Sequence, residues 1–325
     1  LEICFICSST LCLSPYMKSV IERLTADKKR PAVHTYNATL NSFTKFFGGQ
    51  GTEEMLVTDV FTAGKLKEYE AWLRSRNASW NTVSTYMRVL KAVYNRLVEA
   101  KRLTYDARLF DSVYTKVEAQ SKRSLTEEQM NTLLHTDFEK LPEDVQNVLA
   151  YFLLMFLFRG MPFIDMAYLR KQDLKEHCIT YCRHKTGKKM VVRIPHEATA
   201  LFEKCRNKKT DSGYLFPILD ETTENDKKLY ENYRQALRTF NRKLAKMAAL
   251  LLPGTNISSY TARHTWATLA FYSGIPIGII SKALGHSSIK VTETYLKPFE
   301  NEKVDAANDE LIMSVVKRSK EKIVA

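Results

Sequence analysis

The sequence predicts a mainly α-helical protein of two domains, a small helical bundle followed by a larger mixed α/β unit that is mostly α and carries one small antiparallel β-hairpin. Apolar residues recur at three- and four-residue spacing over most of the chain, which is the period of a helix with one buried face. In a single stretch, "CITYCRHKTGKKMVVRIP", that period gives way to alternation. Between Ser112 and Arg123 the periodicity lapses altogether, and 325 residues suffice for two separate cores.

The opening "LEICFICSSTLCLSPYM" is as apolar as a signal peptide. It has an acidic Glu2, no basic leader and no small-residue cleavage pattern, so residues 1–16 read as an upstream extension or a packed leader. The first domain is expected over 17–111. In "PAVHTYNATLNSFTKFFGG", Val33, Tyr36, Leu40, Phe43 and Phe47 fall on one stripe, and Gly48-Gly49 ends it. "AGKLKEYEAWLRSR" supplies another helix. In "SWNTVSTYMRVLKAVYNRLVEAKRL", Val83, Tyr86, Leu90, Val93 and Leu97 form a third apolar stripe. Lys91 and Arg96, with Lys101 and Arg102, leave a basic rim that is either a solvated face or a phosphate-contacting one.

The polar run 112–123 is expected to be a linker, and a second domain to occupy 124–300. It opens with a capping box, Thr126 as N-cap and Gln129 reaching back. "VQNVLAYFLLMFLF" is apolar all round and belongs at a domain centre, ending at Arg159-Gly160. The alternating stretch then predicts a hairpin turning at Thr186-Gly187-Lys188. "YENYRQALRTFNRKLAKMAA" places Arg234, Arg238 and Arg242 along one side of a helix and Tyr233, Leu237, Phe240, Leu244 and Met247 along another. The tail, 301–325, has helical periodicity and a basic end.

Lysine plus arginine outnumber aspartate plus glutamate 49 to 36, a net charge of +13, which favours a polyanionic partner, nucleic acid first. No run approaches the roughly 18 apolar residues of a spanning helix, so a soluble, cytoplasmic protein is expected. Six cysteines in a chain of this size read as reduced thiols. The string His177, Cys178, Cys182, His184 has none of the usual structural zinc spacings and suits a strand, so no metal and no cofactor is expected.

Cutting a phosphodiester without a metal needs a nucleophile, cations on the non-bridging oxygens and an acid for the leaving hydroxyl. The second domain offers Arg263 and His264 at the start of a helix in "SSYTARHTWATLA", His286 and Tyr295 in "GHSSIKVTETY", and Lys185 at the hairpin turn. Lys188 and Lys189 are alternatives to Lys185, because hairpin tips are hard to register.

The order Arg263-His264-Thr265, Leu284-Gly285-His286 and Thr292-Glu293-Thr294-Tyr295 resembles the C-terminal core of the tyrosine recombinases, the phage integrase family. The resemblance runs from Met17 to about Phe299, and it implies a SAM-like core-binding domain ahead of the catalytic domain. "RGMPFIDMAYL" and "WNTVSTYMRVLKAVYN" look like the branch found on mobile elements and invertible loci of Bacteroides-type bacteria. Carried over residue by residue, it implies that Tyr295 attacks the scissile phosphate and forms a 3′-phosphotyrosyl link. Arg263 holds non-bridging oxygens, His286 bonds the phosphate or assists proton transfer, and Lys185 protonates the 5′ oxygen.

This chain departs from the family pattern twice. Tyr260 stands where the family usually has histidine, and a phenol that titrates near ~10 is a poor shuttle at neutral pH. Pro162 stands where the first arginine usually lies. Arg159, one helical turn earlier, is expected to reach the same phosphate, with Asp165 as an acidic support.

The resemblance implies a site-specific recombinase working on double-stranded DNA. By the same analogy the tail docks on a neighbouring protomer, giving a homotetramer on two recombination sites, with accessory DNA-bending proteins as further partners. The other readings are a DNA-binding protein that kept the fold and lost efficient chemistry, and a topoisomerase-like strand cleavage without site pairing.

Overall fold

The computed structural model describes residues 11–48, 55–116, 124–220, 225–296, 304–305 and 308–313. The chain forms two compact units, 1–120 and 121–325. Residues 1–10 of the expected leader, 117–123 of the expected linker and the tail after residue 313 lie outside the described residues.

The first unit is a helical bundle of α1 (Leu13–Ala26), α2 (Arg30–Phe46), the short α3 (Val57–Val60), α4 (Ala63–Ser75) and α5 (Trp80–Glu99). Thr62 and Ser79 cap α4 and α5 through their hydroxyls, and a proline sits in the first turn of α2. Phe43, Tyr69, Met87 and Leu90 are fully buried at the centre, where Phe43 and Tyr69 meet edge to face at 4.7 Å.

Both expected edges of this unit shift. Helix α1 begins at Leu13, ahead of Met17, because Leu13 is core: it is wholly buried, and its N–H donates to the Met55 carbonyl at 2.8 Å. Pro15 hides this start from a sequence reading, although a proline in the first turn forfeits no intrahelical bond. At the other end, Val113 is buried and the Glu70 carboxylate accepts from the Tyr114 N–H at 2.6 Å. The first residues of the polar run therefore pack on the bundle.

The second unit is built around α7 (Glu143–Leu157), whose apolar circumference packs against four other helices. Ahead of it lies α6 (Glu127–Leu134), closed by the reciprocal Thr126–Gln129 capping box. After it come α8 (Phe163–Tyr168), the strands β1 (Leu174–Lys175), β2 (Cys178–Cys182) and β3 (Lys189–Arg193), and α9 (Thr199–Cys205). Then follow α10 (Asp226–Leu251), α11 (Thr261–Tyr272), α12 (Ile277–Leu284) and α13 (Ile289–Glu293).

The sheet is antiparallel in the order β1-β2-β3, with Cys182 opposite Lys189 across the predicted hairpin. Its third strand, β1, joins β2 through Glu176 and His177, both at positive φ as a two-residue hairpin turn requires. Phe163 stacks on Phe240 at 4.4 Å, tying α8 to α10. A separate small core of Ala267, Ala270, Ile280, Leu284 and Leu296 holds the last three helices together. Among the described residues no helix is long and apolar enough to cross a membrane.

Candidate active site

Three chain segments converge on the first turn of α11. Arg263, 2% exposed, donates from Nη1 to the Gly160 carbonyl at 2.9 Å and from Nη2 to the Leu284 carbonyl. The close approach depends on Gly160, which has φ +66°, and a Cβ there would stand 2.9 Å from the Arg263 Cα. The guanidinium is thus fixed by backbone oxygens from the end of α7 and the end of α12, which leaves its charge unneutralised by them.

Helix α12 stops at Gly285, which adopts a left-handed conformation and lets the His286 N–H return to the Ser281 carbonyl at 3.0 Å. Glycine is required there a second time, since a Cβ would meet Met190 Sδ at 2.7 Å and Arg183 Cδ at 2.9 Å. His286 Nε2 lies 3.1 Å from Arg263 Nη2, and its Nδ1 lies 2.9 Å from Thr292 Oγ1. Arginine can only donate, so Nε2 accepts, and the proton of the neutral ring sits on Nδ1 and points at Thr292. Burial, reinforced by Arg263, Arg183, Lys185 and Lys188, pulls the His286 pKa down to about 4. The ring is therefore neutral in the free protein.

Tyr295 follows α13 and its C-cap Thr294. Its ring lies 4.8 Å from the His286 ring and 4.7 Å from that of His264, with the Arg263 guanidinium over it at 5.7 Å. The Tyr260 ring stacks on that of Tyr295 at 6.5 Å. Burial, with Tyr295 next, pushes the Tyr260 phenol up to about 12, even though 41% of the residue is open to solvent. Tyr260 consequently stays protonated, a hydrogen-bond donor and not a base. Four of the residues singled out from the sequence, Tyr260, Arg263, His286 and Tyr295, are brought together.

Two are not. Lys185 is exposed at the hairpin tip, whereas its neighbour Lys188 donates from Nζ to the His286 carbonyl at 3.1 Å. Arg159 sits at φ +59°, exposed, with Nη1 3.4 Å from the Val191 carbonyl on β3, outside the buried cluster. Of the basic residues read as a binding surface, Lys91 and Arg96 are exposed on α5 of the first unit. Arg234, Arg238 and Arg242 follow the less buried side of α10.

The sequence reading missed two residues of the cluster. Thr292 is wholly buried and orients His286. Arg183 is 5% exposed, donates from Nη1 to the Leu284 and Gly285 carbonyls at 3.0 and 3.3 Å, and sets its Nε 3.5 Å from Asp165 Oδ2. The signal for Arg183 was available: Ile179 and Tyr181 are the inward residues of β2, and the period of two carries on to 183. Asp165, buried at the start of α8, accepts from the His184 N–H at 2.8 Å and so anchors the hairpin. Among the described residues no group of three or more His, Cys, Asp or Glu side chains is placed to hold a metal ion.

Residues 123–302 match the model of the phage integrase family, and 12–108 match that of the phage integrase SAM-like domain. The chain is 26% identical over 243 residues to tyrosine recombinase XerA of Pyrococcus furiosus, covering 73% of this chain and 76% of that one. It is 25% identical over 284 residues to tyrosine recombinase XerC of a Roseiflexus species, covering 84% and 86%. Its fold is similar to that of the Tn1549 transposon integrase in complex with a circular intermediate DNA, with a TM-score of 0.64 at 16% identity, over 93% of this chain and 100% of that one. A lambda integrase dimer bound to a core site superposes with a TM-score of 0.64 at 14% identity, over 88% and 95%. With one family model spanning the buried cluster and its companion spanning the helical bundle, the chain belongs to the phage integrase family and is a tyrosine-type site-specific DNA recombinase.

Proposed function

We propose that this recombinase cleaves and rejoins double-stranded DNA at specific sites through a covalent 3′-phosphotyrosyl intermediate on Tyr295. The observation that carries this reading is the placement of Tyr295 against Arg263 and His286, a nucleophile beside a fixed cation and a neutral imidazole. In the cleavage step the Tyr295 oxygen bonds to phosphorus and the bond from phosphorus to the 5′ oxygen breaks. Lys185, on the hairpin tip, gives its proton to that leaving oxygen, and His286 takes the phenolic proton. Arg263 holds the non-bridging oxygens, where negative charge builds up. Religation is the reverse, with a 5′ hydroxyl from another strand as nucleophile, so no external energy source is needed.

A bound phosphate supplies a negative charge that offsets the cations now depressing the His286 pKa, so the ring gains basicity when DNA occupies the site. Tyr260 contributes a hydrogen bond to Tyr295 and leaves proton transfer to its neighbours. Lys91 and Arg96 on α5 and Arg234, Arg238 and Arg242 on α10 are proposed to bind backbone phosphates, which sets affinity and its salt dependence. Similar integrases solved as a dimer on a core site and as a tetramer on a Holliday junction support a homotetramer on paired sites here. The reaction belongs to the cytoplasm, where chromosomal and mobile DNA are accessible. Whether integration, excision or inversion results depends on how the paired sites are arranged in the DNA.

The test is a randomised pool of nicked duplexes that lose the free 5′ end after cleavage, incubated with the full chain and denatured with SDS. A DNA adduct mapped by mass spectrometry to Tyr295, and absent in Tyr295→Phe, is the expected result. Retention of duplexes without any adduct would identify a DNA-binding protein that lacks the chemistry.

A further inference from the structure

We infer that Arg183 supplies the second guanidinium of the phosphate site, in the place left open by Pro162; this rests on the recombinase chemistry proposed above. Arg183 and Arg263 donate to the same acceptor, the carbonyl of Leu284, one from the hairpin and one from α11. Two guanidiniums are thereby held side by side, 5% and 2% exposed.

The only carboxylate this cluster has among the described residues is Asp165. One of its oxygens is taken by the His184 N–H, and the other stands 3.5 Å from Arg183 Nε without a formed hydrogen bond. The Nε atoms of both arginines are buried with no acceptor. Like charges this close and this dry are costly unless an anion joins them. A mutual repulsion is registered on Arg263, whose pKa is lowered by burial and next by Arg183. Tyr295 and His286 both border the Arg263 guanidinium, and Arg183 shares the Leu284 carbonyl with it. A phosphodiester fits: it carries one negative charge on two non-bridging oxygens, and the second charge that develops during transfer meets a second planar, permanently charged donor.

Arg159 lacks these features, being solvent-exposed over β3 with its nearest acceptor a carbonyl 3.4 Å away. A purely architectural role for Arg183, tying the hairpin to the C-terminal carbonyls of α12, makes a different prediction, and the charge of the substrate separates the two.

The experiment uses the full chain and two versions of one selected nicked duplex, with an ordinary scissile phosphate or with an uncharged methylphosphonate in its place. The rate of Tyr295 adduct formation is read in a single turnover. Arg183→Ala is expected to lose about 10²-fold or more on the phosphate and to recover most of that loss on the methylphosphonate, where no second charge needs a partner. Arg159→Ala should keep a rate within about tenfold of the parent on the phosphate. Arg183→Lys, which keeps the charge and the long stem, guards against misfolding of the alanine variant. It should retain the parent's melting temperature and lose rate on the phosphate alone. Equal losses on both substrates would overturn the assignment in favour of the architectural role, and an unimpaired Arg183→Ala would overturn both. Absence of any adduct with the parent chain would instead defeat the recombinase chemistry on which it rests.

Discussion

At the scale of single residues the site is a set of donors organised around a neutral histidine. The tautomer of His286 follows from its neighbours, and its low pKa makes a prediction about stability. The folded ring titrates near 4 and the unfolded ring near 6.5, so between those values the unfolded chain binds the extra proton. Stability should therefore fall as the pH drops from about 6.5 towards about 4, and level off below. Denaturant titrations across that window should show this slope in the parent and its reduction in His286→Gln. Tyr295, Arg263 and His286 were legible because each lies in a short local motif. Arg183 was legible only as an inward residue of the hairpin, because its place in the cluster depends on Leu284, a hundred residues away, and on Asp165 across the fold.

At the scale of elements, the hairpin and α12 fit only because Gly285 is bare. Gly285→Ala should cost roughly 1 kcal/mol for the left-handed backbone and about 1–3 kcal/mol more for overpacking against Met190 and Arg183. Chemical denaturation should show the loss, and the His286 position should suffer with it, lowering adduct formation. Thr126→Ala, which removes the capping box of α6, should destabilise by about 1 kcal/mol and leave the cleavage rate unchanged. Caps, amphipathic stripes and the hairpin were readable because they are properties of neighbouring residues. The strand β1 was not, since two residues show no period, and the start of the first unit was placed at residue 17 and not at α1's Leu13, because Pro15 falls in the first turn.

At the scale of the whole molecule, the two compact units each carry their own core, so residues 11–116 expressed alone should fold with helical circular dichroism and a cooperative melt. The net charge of +13 predicts steep salt dependence of DNA binding. Replacing Arg234, Arg238 and Arg242 together by alanine should reduce the slope of log K against log salt by about 0.9 for each phosphate that the protein no longer neutralises, measured by fluorescence anisotropy. An unchanged slope would remove the exposed side of α10 from the interface. The sequence by itself determined the helical class, the two-unit organisation, the basic charge, and the proposed nucleophile Tyr295 with Arg263 and His286 beside it. These are written in periodicity, composition and contiguous motifs. Only the tertiary structure decided which cations gather near Tyr295, because guanidiniums from the hairpin and α11 converge in space and not in sequence. Convergence depends on two glycines that let α7, α11, α12 and the hairpin close against one another.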